Sequence, residues 1–421
     1  MVGFRRASTR PPGRDSGTAE RVRMPREIKV LIAAAFVIAI GFGLVSPVLP
    51  QFAQSFDVGA TASSIIVSAF AFTRLVFAPA GGKFVEKLGE RPVYISGLLI
   101  VAVSTAACAF AADYWQLLIF RGLGGIGSTM FTISAMGLII RLAPPSIRGR
   151  VSSSYASAFL LGSIGGPFIG GLLAGFGLRV PFLVYAGALV VAAAVVFFQL
   201  KDTSLQDKAK SAPLPALSVR VALQDSAYRA ALVSGFANGW SSFGVRMALI
   251  PLFAAAVLGA GPEVAGISLA FFAAGTALAL TVSGRLADTL GRRPLILTGL
   301  VINGAAMACI GFTGDVFWFL VVSVIAGIGT GILNPAQQAV VADVIGSERS
   351  GGKVLAGFQM SADTGAILGP ILAGVLVDTL SYNWAFAATG LTALAAIMMW
   401  MAARETLPTH GESKTTEGSQ T

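Results

Sequence analysis

The chain has 421 residues, is 55% hydrophobic and only 12% charged, and has a mean hydropathy of +0.78. Too little polar surface remains to cover a water-soluble globule of that size, which places the chain in a bilayer. The formal charge of +10 is spread over many loops, with no aromatic platform or finger beside it, and does not suit nucleic acid.

A spanning helix needs about 20 apolar residues. Twelve such runs are read at 28–50, 60–82, 92–111, 114–141, 151–175, 181–200, 229–252, 263–284, 294–312, 315–342, 354–377 and 383–403. Outside them, Lys and Arg fall in the N-terminal tail, the even-numbered loops and the C-terminal tail, with Arg179 the exception on the opposite side. The positive-inside rule then puts both termini in the cytoplasm, and an odd number of spans would scramble the pattern.

Five segments follow: a basic, disordered cytoplasmic tail over 1–27, a six-span half over 28–200, a linker over 201–228, a second six-span half over 229–403, and a polar tail over 404–421. Eight basic residues from Arg5 to Lys29, seven of them in the first tail, suit anionic lipid headgroups. The only histidine, His410, lies in the last tail, so histidine proton relays are excluded. Cys108 and Cys309 fall inside spans without histidine partners, so neither a metal site nor a disulfide is expected.

Span one ends in Gly41-Phe42-Gly43-Leu44-Val45-Ser46-Pro47-Val48-Leu49-Pro50, and span seven has its counterpart in Gly244 to Pro251. Each proline either hinges its helix or ends it at the interface. Span two carries Arg74, about 12 Å before Gly82 along a helix. A charge at that depth costs at least about 2.5–3.5 kcal/mol unless compensated.

Gly82-Lys83-Phe84-Val85-Glu86-Lys87-Leu88-Gly89-Glu90-Arg91-Pro92 follows span two, and Gly284-Arg285-Leu286-Ala287-Asp288-Thr289-Leu290-Gly291-Arg292-Arg293-Pro294 follows span eight. Glycines, acid, Arg and Pro stay in register at an offset of 202, so the chain is two related halves. Span four contains Arg121-Gly122-Leu123-Gly124-Gly125-Ile126-Gly127-Ser128, with Arg121, Gly125 and Ser128 on one face. Ser323 or Val324 stands at the matching place of the second half. Span five holds Gly162-Ser163-Ile164-Gly165-Gly166-Pro167-Phe168-Ile169-Gly170-Gly171, whose core returns in span eleven from Gly365 to Gly374. These glycines allow close helix packing.

The paired hairpins resemble the loop signature of the major facilitator superfamily, and the span-one, span-four and span-five stretches resemble motifs of its twelve-span drug/proton antiporters. Glu86 and Glu90 depart from the usual Asp and Arg of the first hairpin, and Gly124 stands where a Gln is often found. The resemblance implies an all-α membrane protein of two pseudo-symmetric six-helix bundles, a functional monomer in the bacterial inner membrane that exports a small molecule against protons. Spans one, four, seven and ten would line a cavity, with Arg121, Arg246, Asn238, Trp240, Asn334, Gln337 and Gln338 facing it; two, five, eight and eleven would join the halves.

Asp363 is the only carboxylate well inside a span, about 16 Å from the start of span eleven. An Arg74–Asp363 pair is expected across the halves, either a gate opened by protonation or a static clasp. The hairpin residues Gly82, Glu86, Gly89, Arg91, Gly284, Asp288, Gly291 and Arg293 form an expected conformational latch, with Glu86 and Asp288 near the N-termini of spans eleven and five and Arg91 and Arg293 paired with carboxylates. Substrates are neutral, zwitterionic or anionic, because the interior carries more Arg than acid. Carriage of one endogenous anion, inward or outward, and a sensor or scaffold on the carrier fold stand as alternatives. The spans offer no His cluster, paired carboxylates or activated nucleophile for an enzyme, and no ATP loop or cofactor motif.

Overall fold

The computed structural model describes residues 24–142, 148–200, 217–346 and 351–407, together with Pro215 and Arg349. The expectations for most of the N-terminal tail, the first part of the linker, His410 and the rest of the C-terminal tail lie outside the described residues.

Among the described residues, twelve helices are long and apolar enough to cross a membrane. They are α1 (Arg26–Val45), α2 (Ala60–Leu88), α3 (Glu90–Ala109), α4 (Tyr114–Leu142), α5 (Arg148–Ala174), α6 (Val180–Gln199), α7 (Ser226–Ala256), α8 (Pro262–Leu290), α9 (Arg292–Ile310), α10 (Val316–Ile345), α11 (Gly352–Thr379) and α12 (Tyr382–Ala402). In hydrocarbon every backbone N–H must find its carbonyl inside the segment, so apolar runs of this length become helices. Several exceed their apolar runs by a turn, because the intrahelical bonds continue past the point where polar side chains begin.

The two prolines act differently. At Pro47 the missing N–H ends α1: the Ser46 N–H bonds back to the Gly43 carbonyl, and a short helix, Leu49–Gln54, follows. Pro251 stays inside α7, downstream of a π-helical segment, Gly239–Val245. Such segments widen the helix and aim side chains off its regular stripe.

Gly89 alone separates α2 from α3, and Gly291 alone separates α8 from α9, with φ of 86° and 105°. A one-residue reversal between two helices demands a positive φ that side-chain-bearing residues rarely adopt, which is why both hairpins keep glycine at that place. With twelve alternating helices, these hairpins and both ends of the described chain lie on one face, hereafter the basic face.

Within the first bundle α1 packs on α5 and α4 packs on α2 and α3; in the second α10 packs on α8 and α9, and α9 on α12. The bundles meet through α2 on α11 and α5 on α8. The span-five motif makes both kinds of contact. A Cβ on Gly170 would run into the Leu44 carbonyl oxygen, so glycine is what lets α5 touch α1; Gly171 instead abuts Pro262 and Glu263 of α8. Gly162, Gly166 and Pro167 continue the α1 seam.

Candidate functional site

Among the described residues, the bonds and close approaches that join the bundles lie away from the basic face. Asp378, near the end of α11, accepts from the Ala60 and Thr61 N–H groups at 2.9 Å and from the Thr61 hydroxyl at 2.6 Å. A carboxylate thus satisfies the open first turn of α2 across the interface. Gln51 donates to the Pro251 carbonyl at 3.1 Å, and the Ser68 hydroxyl to the Ile367 carbonyl at 2.9 Å.

Toward the middle, the bundles part around a cavity of about 270 Å³. The first bundle contributes Phe42, Phe70, Arg74 and Arg121, and the second Phe243, Met247, Gln359 and Asp363. Arg74 and Asp363 are within coulombic reach of each other, yet the pair is open: the described ion pairs are Asp288–Arg292, Asp343–Arg292 and Asp225–Arg404. The interface closes on the far side of this level, and cavity intervenes here.

Arg121 is 7% exposed, and its guanidinium lies 4.3 Å from the Phe70 ring centre and 5.9 Å from that of Phe42. The buried Nε–H has no hydrogen-bond partner. The other polar residues expected at the cavity sit off it. Arg246 stacks on Phe272 at 3.8 Å while its Nε donates to the Ser242 carbonyl. Asn238 donates to Asn334 at 2.8 Å and accepts from Ser242, which also meets Thr330. Asn303 of α9, not foreseen, accepts from Ser241 and donates to Thr330 and to the Ala326 carbonyl. The Trp240 indole donates to Thr389 of α12, Gln337 is buried, and Gln338 is exposed. In α7, the π segment falls between Asn238 and Arg246. Regular helical spacing therefore does not tell which of these side chains share a face.

At the basic face, Asp288 pairs with Arg292 one turn on, and Arg292 reaches Asp343 of α10 at 3.3 Å. The Glu86 side chain lies outside the described residues. Gly82 and Gly284 have open space where a Cβ would stand. Arg91 donates to the Phe197 carbonyl at 2.7 Å, among other interactions, and Arg293 to the carbonyls of Trp400 at 2.9 Å and Met401. These carbonyls lie in the last turns of α6 and α12, at the negative end of the helix dipole.

The residues after α12 were not foreseen as structural. Glu405 accepts from the Arg292 and Arg293 N–H groups at 3.0 Å and from its own neighbours Thr406 and Leu407. Burial pushes its pKa up, but these four donors outweigh that and hold it below the usual range. Arg404 forks onto Asp225, the N-cap of α7, whose carboxyl is likewise held low against its burial. A lone acid just past a span was a readable cue for such a cap. Its target, more than a hundred residues away, was not.

The Major Facilitator Superfamily profile matches residues 31–245 and 231–420. Among characterised proteins, Multidrug resistance protein 2 of Bacillus subtilis (strain 168) is 25% identical over 381 residues, covering 88% of this chain and 94% of that protein. Quinolone resistance protein NorA of Staphylococcus aureus (strain COL) is 29% identical over 367 residues, covering 84% and 91%. In fold, the chain resembles the inward-facing, unoccupied crystal structure of a bacterial homolog to the human lysosomal transporter Spinster, with TM-score 0.78, 17% identity, and coverage of 89% and 95%. A transport-protein profile across both bundles, relatives of nearly full length and a two-bundle fold around a central cavity agree: this chain belongs to the Major Facilitator Superfamily.

Proposed function

We propose that the chain exports lipophilic small molecules in exchange for protons, by alternating access, as a monomer in the bacterial inner membrane with its basic face in the cytoplasm. The observation that carries this reading is the cavity between the bundles, where one carboxylate, Asp363, faces Arg74 while the joining contacts lie on the far side. On this reading the conformation is inward-facing. Phe42, Phe70, Phe243 and Met247 supply an apolar wall for a substrate entering from the cytoplasm.

Asp363 carries the proton. An ionised Asp363 is drawn toward Arg74, and protonation cancels the attraction, so the charge state biases which side of the interface closes. A proton bound from outside and released inside then returns the empty carrier. The hairpins act as a latch: Asp288, largely exposed and held by Arg292, is free to change partners as the bundles rock. Names borne by the relatives, multidrug and quinolone resistance, support drug export.

The test is efflux of a fluorescent quinolone from energised vesicles, with and without a protonophore. Loss of efflux on collapsing the pH gradient is expected. Efflux indifferent to the gradient overturns proton coupling, and the absence of any substrate movement favours a sensor or scaffold. A second reading, carriage of one endogenous anion, is favoured by the position of Arg121.

A further inference from the structure

Resting on the transport reading above, we infer that the cavity takes a substrate bearing a carboxylate, seated on Arg121, with an aromatic body of one or two rings. The charges lining the cavity do not balance. Arg74 and Arg121 stand against Asp363 alone, and Asp363 lies within reach of Arg74. Arg121 has no described carboxylate partner.

Its hydrogen bonding is incomplete as well. Phe70 and Phe42 engage the guanidinium through their rings, but ring contacts leave edge donors unused, and the buried Nε–H meets no acceptor. Leaving a buried charged donor unmade is costly. Folding does not require that cost. In the second bundle Ser323 occupies the matching place and bonds to Ser268 at 2.8 Å, and Arg246, which also stacks on a ring, satisfies its Nε at Ser242. An acceptor arriving from the cavity would complete Arg121. A planar carboxylate matches the guanidinium fork and neutralises the surplus charge.

Size narrows the rest. About 270 Å³ is near the lower end of small-molecule pockets, roughly 300–1,000 Å³. The Phe42, Phe70 and Phe243 side chains favour a flat apolar body over a sugar or a phosphate ester.

The experiment uses the full chain in lipid nanodiscs at neutral pH, with 2-naphthylacetate, 2-naphthylacetamide and 2-(2-naphthyl)ethylamine as matched probes. The acid is expected to bind at least about ten-fold more tightly than the amide, and the amine most weakly. R121Q should bring acid and amide together, while R121K, which keeps the charge but loses the fork, should retain part of the preference. An unchanged unfolding temperature in R121K guards against a folding artefact. An acid no tighter than its amide, a preference that survives R121Q, or no binding of the acid at millimolar concentration overturns the inference. Vesicle efflux is scored separately. An acid preference that depends on Arg121 without efflux defeats the transport reading and leaves this subsite; gradient-driven efflux with no acid preference does the reverse.

Discussion

Phe70 and Phe272 stand 202 residues apart, on α2 and α8, and each carries an arginine guanidinium over its ring. The first receives Arg121 from α4; the second receives Arg246 from α7. Around Arg246 the second bundle closes a chain of hydrogen bonds through Ser242, Asn238, Asn334, Thr330, Asn303 and Ser241. Around Arg121 the first bundle offers two aromatic faces and an open cavity. Buried polarity therefore has two meanings in one molecule. Where polar side chains bond to one another they hold helices together, and where a charged donor is left open beside a cavity it suits an incoming acceptor.

The largest effect expected from breaking this contrast is on coupling. D363N removes the one carboxylate facing the cavity and should cut gradient-driven efflux by about 100-fold or more, the scale expected of an essential proton-transfer group. Vesicle transport against an imposed pH gradient measures it. Full coupling in D363N would reduce Asp363 to a static clasp.

Next in size is stability within the second bundle. N303L removes three interhelical bonds, each averaging about 0.6 kcal/mol in membrane proteins, and leaves Ser241 and Thr330 short of partners, for about 2 kcal/mol in all. The unfolding temperature should fall by several degrees. R121Q, by contrast, should leave it unchanged or raise it, because it removes a desolvated charge that folding does not satisfy. Equal losses from the two substitutions would erase the distinction between the bundles.

D378N weakens the contact that joins α11 to the start of α2 and should shift the conformational balance by about 1 kcal/mol away from the closed far side. Distances between spin labels at the two edges of the far side, measured with and without the substitution, read the shift.

The smallest effect is at Glu405. The group is partly exposed, so screening keeps its contribution under about 1 kcal/mol. Its folded pKa lies below the ordinary value of about 4.3 for glutamate. The contribution is therefore complete above that ordinary value and lost as pH falls through the folded one. Wild type should exceed E405Q in unfolding temperature by a constant margin from neutral pH down to about 5, and the two should converge only as pH falls past the lowered folded value. A margin that persists in acid would assign the stabilisation to packing instead of charge.

Much of the fold was legible beforehand. Apolar run length, the alternation of basic loops, the 202-residue repeat and the glycine between paired helices are local or periodic features, and the helices follow them closely. The site was legible in part. Arg74, Arg121 and Asp363 were expected inside and all three line the cavity. Asn238, Asn334, Trp240 and Arg246 were expected beside them from the spans they fall on, but they bond within their own bundle, because membership of a span does not say which face a side chain occupies.

Backbone demands and the length of hydrocarbon to be crossed are written in stretches of one to two dozen residues, so the chain alone determined twelve helices, their pairing into halves and the two tight reversals. Which guanidinium is satisfied and which is left open depends on atoms brought together from remote helices. Asp378 meets Ala60, Glu405 meets Arg292, and Arg121 meets Phe42 and Phe70 but no acceptor. Those encounters come only from packing remote helices together, within one bundle or across the two, and tertiary structure alone decided them.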